Sequence, residues 1–145
     1  MNIIVINGPN LNMLGARDEH HYGSITLKKI ETLVKSEFPN IQFIFFQSNI
    51  EGEIVEKIQK ASKEFNGLLI NPGGYAHTSV VIRDALADIK IPKIEVHLSH
   101  LVNREYFRQD LITAGSCNGY ISGFKENSYL AGVFLLNKII LEKRK

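Results

Sequence analysis

Short unbroken apolar runs recur along the chain, each followed by a polar turn and then by a longer amphipathic stretch. Ile3-Ile4-Val5-Ile6 is such a run, and Asn7-Gly8-Pro9-Asn10 closes it. A short apolar run without polar alternation suits a strand covered on both faces, which is the situation in a parallel sheet. Strands are expected at residues 2–7, 41–46, 67–71, 93–98 and 118–122. Between them, Leu27, Ile30, Val34 and Phe38 fall at helical spacing, with Pro39 as a stop. Ile54, Ile58, Ala61 and Phe65 do the same over residues 50–65. A third helix is expected at 79–89, with Thr78 or Ser79 as its N-cap, and a long one at 127–142. About five β-α units with right-handed crossovers make an α/β fold, a doubly wound three-layer sandwich. For a five-stranded parallel sheet the flavodoxin-like order 2-1-3-4-5 is expected.

The length of 145 residues fits one domain over 1–145, and no linker, repeat or low-complexity tract divides it. A hydrophobic fraction of 44% and a charged fraction of 22% exclude disorder, collagen-like repeats and a disulfide scaffold. Lys+Arg 17 against Asp+Glu 15 leaves no basic stripe beyond the tail Lys143-Arg144-Lys145, so nucleic acid is not an expected partner. The first apolar run is too short for a signal-peptide core or a membrane span, and the lone Cys117 has no internal partner. A cytoplasmic protein without membrane contact is expected. Cys117 itself reads as a small buried hydrophobe rather than a nucleophile.

Open parallel sheets bind ligands beyond the C-terminal ends of their strands, at the point where the strand order reverses. Here that crevice lies between the loops that begin Asn7-Gly8-Pro9-Asn10 and Asn71-Pro72-Gly73-Gly74, with Glu95-Val96-His97-Leu98-Ser99-His100 beside them. The first loop runs from Gly8 to about Gly23, a length typical of lids. Neither a P-loop nor a G-x-G-x-x-G fingerprint follows the first strand. Asn7 and Asn71 stand where a phospho-receiver needs acids. No His, Cys and carboxylate set has zinc-ligand spacing, so no metal is expected.

What remains on the rim is Asn10, Arg17, Tyr22, Asn71, His77, His97, Ser99 and Arg108. A guanidinium near a phenol stabilises the phenolate, so Tyr22 with Arg17 can act as a general base; the plainer alternative is a packed loop ring beside a solvated arginine. Glu95 lies two residues before His97 on the same strand face, where a carboxylate can orient an imidazole for acid chemistry; the alternative is a satisfied structural histidine. Leu98 and Ser99 can form an anion nest or a plain strand-end turn. Asn71 can donate to the same anion or close its own turn. His77 precedes a helix cap, and Asp84 falls in mid-helix, where a solvated face is usual.

Taken together, these motifs resemble the type II 3-dehydroquinate dehydratases. The matching stretches are 7–17 (Asn-Gly-Pro-Asn-Leu-Asn-Met-Leu-Gly-Ala-Arg), Tyr22-Gly23, Asn71-Pro72-Gly73-Gly74-Tyr75, His77-Thr78-Ser79-Val80 and Ile82-Arg83-Asp84-Ala85-Leu86. They continue with Glu95-Val96-His97-Leu98-Ser99, Arg104-Glu105, Phe107-Arg108 and Gly119-Tyr120-Ile121-Ser122-Gly123-Phe124. The resemblance implies dehydration of 3-dehydroquinate to 3-dehydroshikimate in the shikimate pathway towards chorismate and the aromatic amino acids. It implies an enolate route with no cofactor and no Schiff-base lysine. Tyr22 would be the base, Arg17 its activator, and Asn10 would hold the enolate oxygen through a water. His97 would protonate the departing hydroxyl, with Glu95 orienting it. Asn71, Leu98 and Ser99 would anchor the carboxylate. His77, Arg108 and Asp84 would meet the ring hydroxyls, with Asp84 supplied by a neighbouring subunit of a homododecamer built from trimers.

Some positions depart from the family pattern. The lid reads Arg17-Asp18-Glu19 where Arg-Glu-Pro is common, which suggests a more mobile lid. Ala76 replaces a common Thr, Gln109-Asp110-Leu111 follows Arg108, and Lys125 stands where Gly is frequent. None removes a group named above. Two other readings of the same residues are a non-catalytic flavodoxin-like module that binds or responds to a small molecule, and an assembly protein whose Asp84 and C-terminal helix only make interfaces.

Overall fold

A computed structural model describes residues 1–143, so Arg144 and Lys145 of the basic tail lie outside the described residues. The elements run β1 (Asn2–Asn7), α1 (Glu19–Tyr22), α2 (Leu27–Glu37), β2 (Gln42–Gln47), α3 (Glu51–Glu64) and β3 (Gly67–Asn71). They continue with α4 (Val80–Asp88), β4 (Lys93–His97), β5 (Gly119–Ser122) and α5 (Asn127–Glu142). All strand pairs are parallel and the order is β2-β1-β3-β4-β5, as expected for a doubly wound sheet. The register sets Asn7 directly beside Asn71, so the first two polar loops leave the sheet at the same level.

Strand periodicity sorts the core into two halves. Ile3 and Val5 of β1 face one side with Leu69, Ile94 and Val96, where they meet Ile30 and Val34 of α2 and Tyr129, Val133, Leu136 and Ile140 of α5. Ile4 and Ile6 face the other side with Leu68 and Ile70, against Ile54 and Ile58 of α3 and Ile82 and Leu86 of α4. Each such fully buried side chain contributes about 1.5–3 kcal/mol by leaving water, which is why the alternation holds the three layers in register. Ser79 caps α4, its side chain accepting from the Ile82 N–H at 3.0 Å. Gly132 lets α5 lie close on the sheet: a Cβ there would stand 2.6 Å from Leu69 Cδ1.

Two regions differ from the sequence expectation. The stretch from Gly8 to Gly23 is not a plain loop: it holds a 3-10 turn at Leu11–Met13 and the one-turn helix α1. Asp18 caps α1 by accepting from the His20 N–H at 2.9 Å, and Gly23 ends it at φ 75°. The β4–β5 crossover contains no α-helix; it is three 3-10 turns, Leu101–Asn103, Tyr106–Gln109 and Ala114–Ser116. The fourth β-α unit is thus irregular. Among the described residues no helix is long and apolar enough to cross a membrane.

Candidate active site

The loops after β1, β3 and β4 converge on one cleft, open on one side. Close approach of the first two depends on Gly8, where a Cβ would stand 2.4 Å from the Pro72 carbonyl oxygen. Asn10, Arg17, Tyr22, Asn71, His77, His97, Leu98, Ser99 and Arg108 all line the cleft. Of the other expected residues, Glu95 lies behind His97 and Asp84 lies elsewhere, on the exposed face of α4 beside Arg83 at 3.5 Å. No Asp or Glu lines the cleft, whereas Arg17, Arg104 and Arg108 do, so the cavity favours an anion.

The sheet supplies the histidine side. His97 ends β4 and is only 5% exposed, while Glu95 is wholly buried. Their i, i+2 spacing puts both on one strand face, and His97 Nε2 meets Glu95 Oε1 at 2.7 Å. An imidazole held by Nε2 leaves Nδ1 for the cleft. The His77 ring stacks on His97 with centroids 6.4 Å apart, and His77 Nδ1 donates to the Asp110 carbonyl at 2.9 Å. Burial holds His77 below the usual histidine range, and the nearby His97 and Arg108 push the same way, against the Asp110 hydrogen bond and the Glu95 charge.

The β1–α2 connection supplies the phenol. Tyr22 ends α1 and is half-buried. Its hydroxyl oxygen accepts from Arg17 Nη2 at 3.0 Å and from Arg104 Nη1 at 2.8 Å. The Arg17 guanidinium also lies over the ring, 3.9 Å from its centroid. Two guanidinium donors on one oxygen stabilise negative charge there.

The anion wall is built from the remaining groups. Ser99 Oγ accepts from Arg104 Nη1 at 3.2 Å. Asn71 closes its own turn, its Oδ1 accepting from the Gly73 N–H at 3.2 Å, while Nδ2 donates to the Tyr129 hydroxyl at 3.0 Å. An amide nitrogen carries two hydrogens, so one remains. Arg108 is held by Glu105 at 2.8 Å, and Asn10 adopts a left-handed conformation at φ 67° with its N–H on Asn49.

Comparison with known proteins decides the family. The family model described as "Dehydroquinase class II" matches residues 1–137. The chain belongs to this family. A relative from Clostridium botulinum (strain 657 / Type Ba4), named 3-dehydroquinate dehydratase, is 46% identical over 98% of this chain and 99% of its own. A relative of the same name from Carboxydothermus hydrogenoformans is 47% identical over 94% of this chain and 90% of its own. The crystal structure of type II dehydroquinase from Butyrivibrio crossotus DSM 2876 superposes with a TM-score of 0.92 at 43% identity, covering 94% of this chain and 97% of that one.

In this class II dehydroquinase chain, two residues that shape the cleft carry little sequence signal of a role there. In the sequence Arg104 stands only as part of the Arg104-Glu105 motif, yet it bridges Tyr22 and Ser99. Its spacing of five residues after Ser99 is a weak signal, because the contact to Tyr22 spans 82 residues. Tyr129 of α5 is fully buried beneath the switch point, and its hydroxyl donates to Asn7 Oδ1 at 2.6 Å. Burial pushes this phenol above the usual tyrosine range, against the Asn71 hydrogen bond, so it stays neutral. Cys117 is a poor nucleophile: burial first and the Glu95 charge second push its thiol up to about 12, with Lys93 opposing. Among the described residues no group of three or more His, Cys, Asp or Glu is placed to hold a metal ion.

Proposed function

We propose that this chain is a carbon–oxygen hydro-lyase that dehydrates 3-dehydroquinate to 3-dehydroshikimate, as a single catalytic domain. The observation that carries this is the pairing within one acid-free cleft of a phenol held by two guanidinium groups and an imidazole backed by a buried carboxylate. Tyr22 takes the proton from the carbon next to the ketone, and the electron pair moves onto the carbonyl oxygen as an enolate. Arg17 and Arg104 stabilise the charge on Tyr22 before the transfer, and Asn10 steadies the enolate oxygen through a water. Collapse of the enolate breaks the carbon–oxygen bond, and His97 delivers its proton to the leaving hydroxyl, which departs as water. Glu95 holds the His97 ring in place. Asn71, Leu98 and Ser99 bind the substrate carboxylate, and His77 and Arg108 meet its hydroxyls.

Asp84 completes the cleft of a neighbouring copy in a homododecamer. Supporting this, Val80 and Val81 beside it on α4 are 58% and 53% exposed, an unusual amount of apolar surface on one turn. The lone, partly exposed Cys117, which has no internal partner, suits a cytoplasmic setting.

The test is incubation with 3-dehydroquinate while following the ultraviolet absorbance of the conjugated enone product. A steady rise is expected. No rise at high protein concentration, with the substrate merely bound, would favour a non-catalytic binding module instead.

A further inference from the structure

Thr113 lies in the irregular β4–β5 crossover and is wholly buried, yet nothing in the mechanism above uses it. Its Oγ1 donates to Glu95 Oε2 at 2.7 Å. The other carboxylate oxygen, Oε1, is the one that meets His97 Nε2 at 2.7 Å. Glu95 and Thr113 are both 0% exposed, so no bulk solvent supplies a substitute donor. Lys93, the nearest lysine in the strand, directs its ammonium to the Ile89 carbonyl at 2.9 Å instead. The same crossover is tied to the turn bearing His77: the Ile112 and Thr113 N–H groups meet the Ala76 carbonyl at 2.9 and 3.4 Å.

The last torsion of a glutamate side chain is broad, so one hydrogen bond leaves the carboxylate plane free to swing. A second donor on the other oxygen removes that freedom. We propose that Thr113 is a positioning residue for the reaction: its hydroxyl fixes the carboxylate plane of Glu95, and through it the ring plane of His97, so that Nδ1 is presented to the cleft. The proposal rests on His97 being the proton donor. It gives the crossover's lack of a helix a purpose, since a regular helix would carry this segment away from β4.

The test is a pair of substitutions. Thr113→Val keeps the shape and removes the hydroxyl; Thr113→Ser keeps the hydroxyl. Hydrogen bonds to charged groups are worth enough that kcat in Thr113→Val should fall by about 10- to 100-fold, with KM changed less than about twofold. Thr113→Ser should recover most of that loss. In a Glu95→Gln background, Thr113→Val should add almost nothing, because the two residues act through one carboxylate. Proton NMR gives a readout apart from activity: the downfield signal of the His97 Nε2 proton should persist in Thr113→Ser and vanish or broaden in Thr113→Val. If Thr113→Val does not fold, Thr113→Ala carries the same expectations. A folded variant without the hydroxyl that keeps normal kcat and an unchanged His97 signal overturns the proposal, as does full additivity with Glu95→Gln. A wild-type protein that fails to turn over 3-dehydroquinate would overturn the dehydratase reading alone, and the NMR comparison would still decide the role of Thr113.

Discussion

The two sides of the cleft are built on opposite principles. The histidine side grows out of β4 in the centre of the molecule, where His97 and Glu95 are buried and every strand neighbour is fixed by the sheet. The phenol side rests on a four-residue helix whose cap Asp18 and whose Glu19 and His20 are exposed, and Tyr22 is held by Arg17, by Arg104 from the far crossover and by packing of its ring against the core edge. A helix this short has little stability of its own, so tertiary contacts hold it. The proposed acid is therefore part of the scaffold, and the proposed base is delivered to it. On the first side a substitution affects stability and rate together. On the second, removing the hydroxyl alone affects rate far more than the fold.

Tyr22→Phe gives the sharpest version of this contrast. It should lower kcat by about 10²–10⁴-fold, the range for a lost general base, with the melting temperature almost unchanged. Glu95→Gln should lower kcat as well, but it also strands His97 and Thr113 in the core and should reduce unfolding free energy by about 1–3 kcal/mol in urea titrations. Equal stability losses in the two variants would break the comparison. Tyr129→Phe acts on the scaffold below the anion wall, removing the hydroxyl that joins Asn7 and Asn71. It should destabilise by about 1 kcal/mol and raise KM more than it lowers kcat. A pure kcat effect would show that Asn71 does not anchor the substrate.

The smallest effect concerns His77. Its folded-state pKa is lowered, chiefly by burial, so the folded protein takes up this proton less readily than the unfolded chain. The stability tied to neutral His77 is present above the ordinary histidine value of about 6.5 and is lost as pH falls through the lowered folded value. His77→Asn, which can keep a donor towards the Asp110 carbonyl, should lose less melting temperature between pH 7 and pH 5 than the wild type. Parallel declines measured by calorimetry would contradict this.

These same differences explain which parts could be read from sequence. The five strands and four long helices were legible because their apolar spacing repeats over enough residues to be unambiguous, and the Glu95–His97 pair was legible because i, i+2 on a strand means one face. Helix α1 was not, since four residues cannot express a helical period. Its cap, Asp18, stands out in the sequence only as a departure from the family pattern. Arg104 and Thr113 escaped for a different reason. Their partners, Tyr22 and Glu95, are 82 and 18 residues away, across a crossover with no regular element to carry the prediction. Asn71 showed that two readings of one residue can hold together: it closes its turn and still faces the cleft.

The division of labour between the two sides can be measured directly by incubating 3-dehydroquinate in deuterated water and following its acidic α-proton by NMR. With His97→Gln, Tyr22 still forms the enolate and returns it, so the α-proton should exchange for deuterium while little product forms. With Tyr22→Phe, neither exchange nor dehydration should occur. Exchange that survives in Tyr22→Phe, or that disappears in a folded His97→Gln protein, would contradict a base on the lid working with an acid on the sheet.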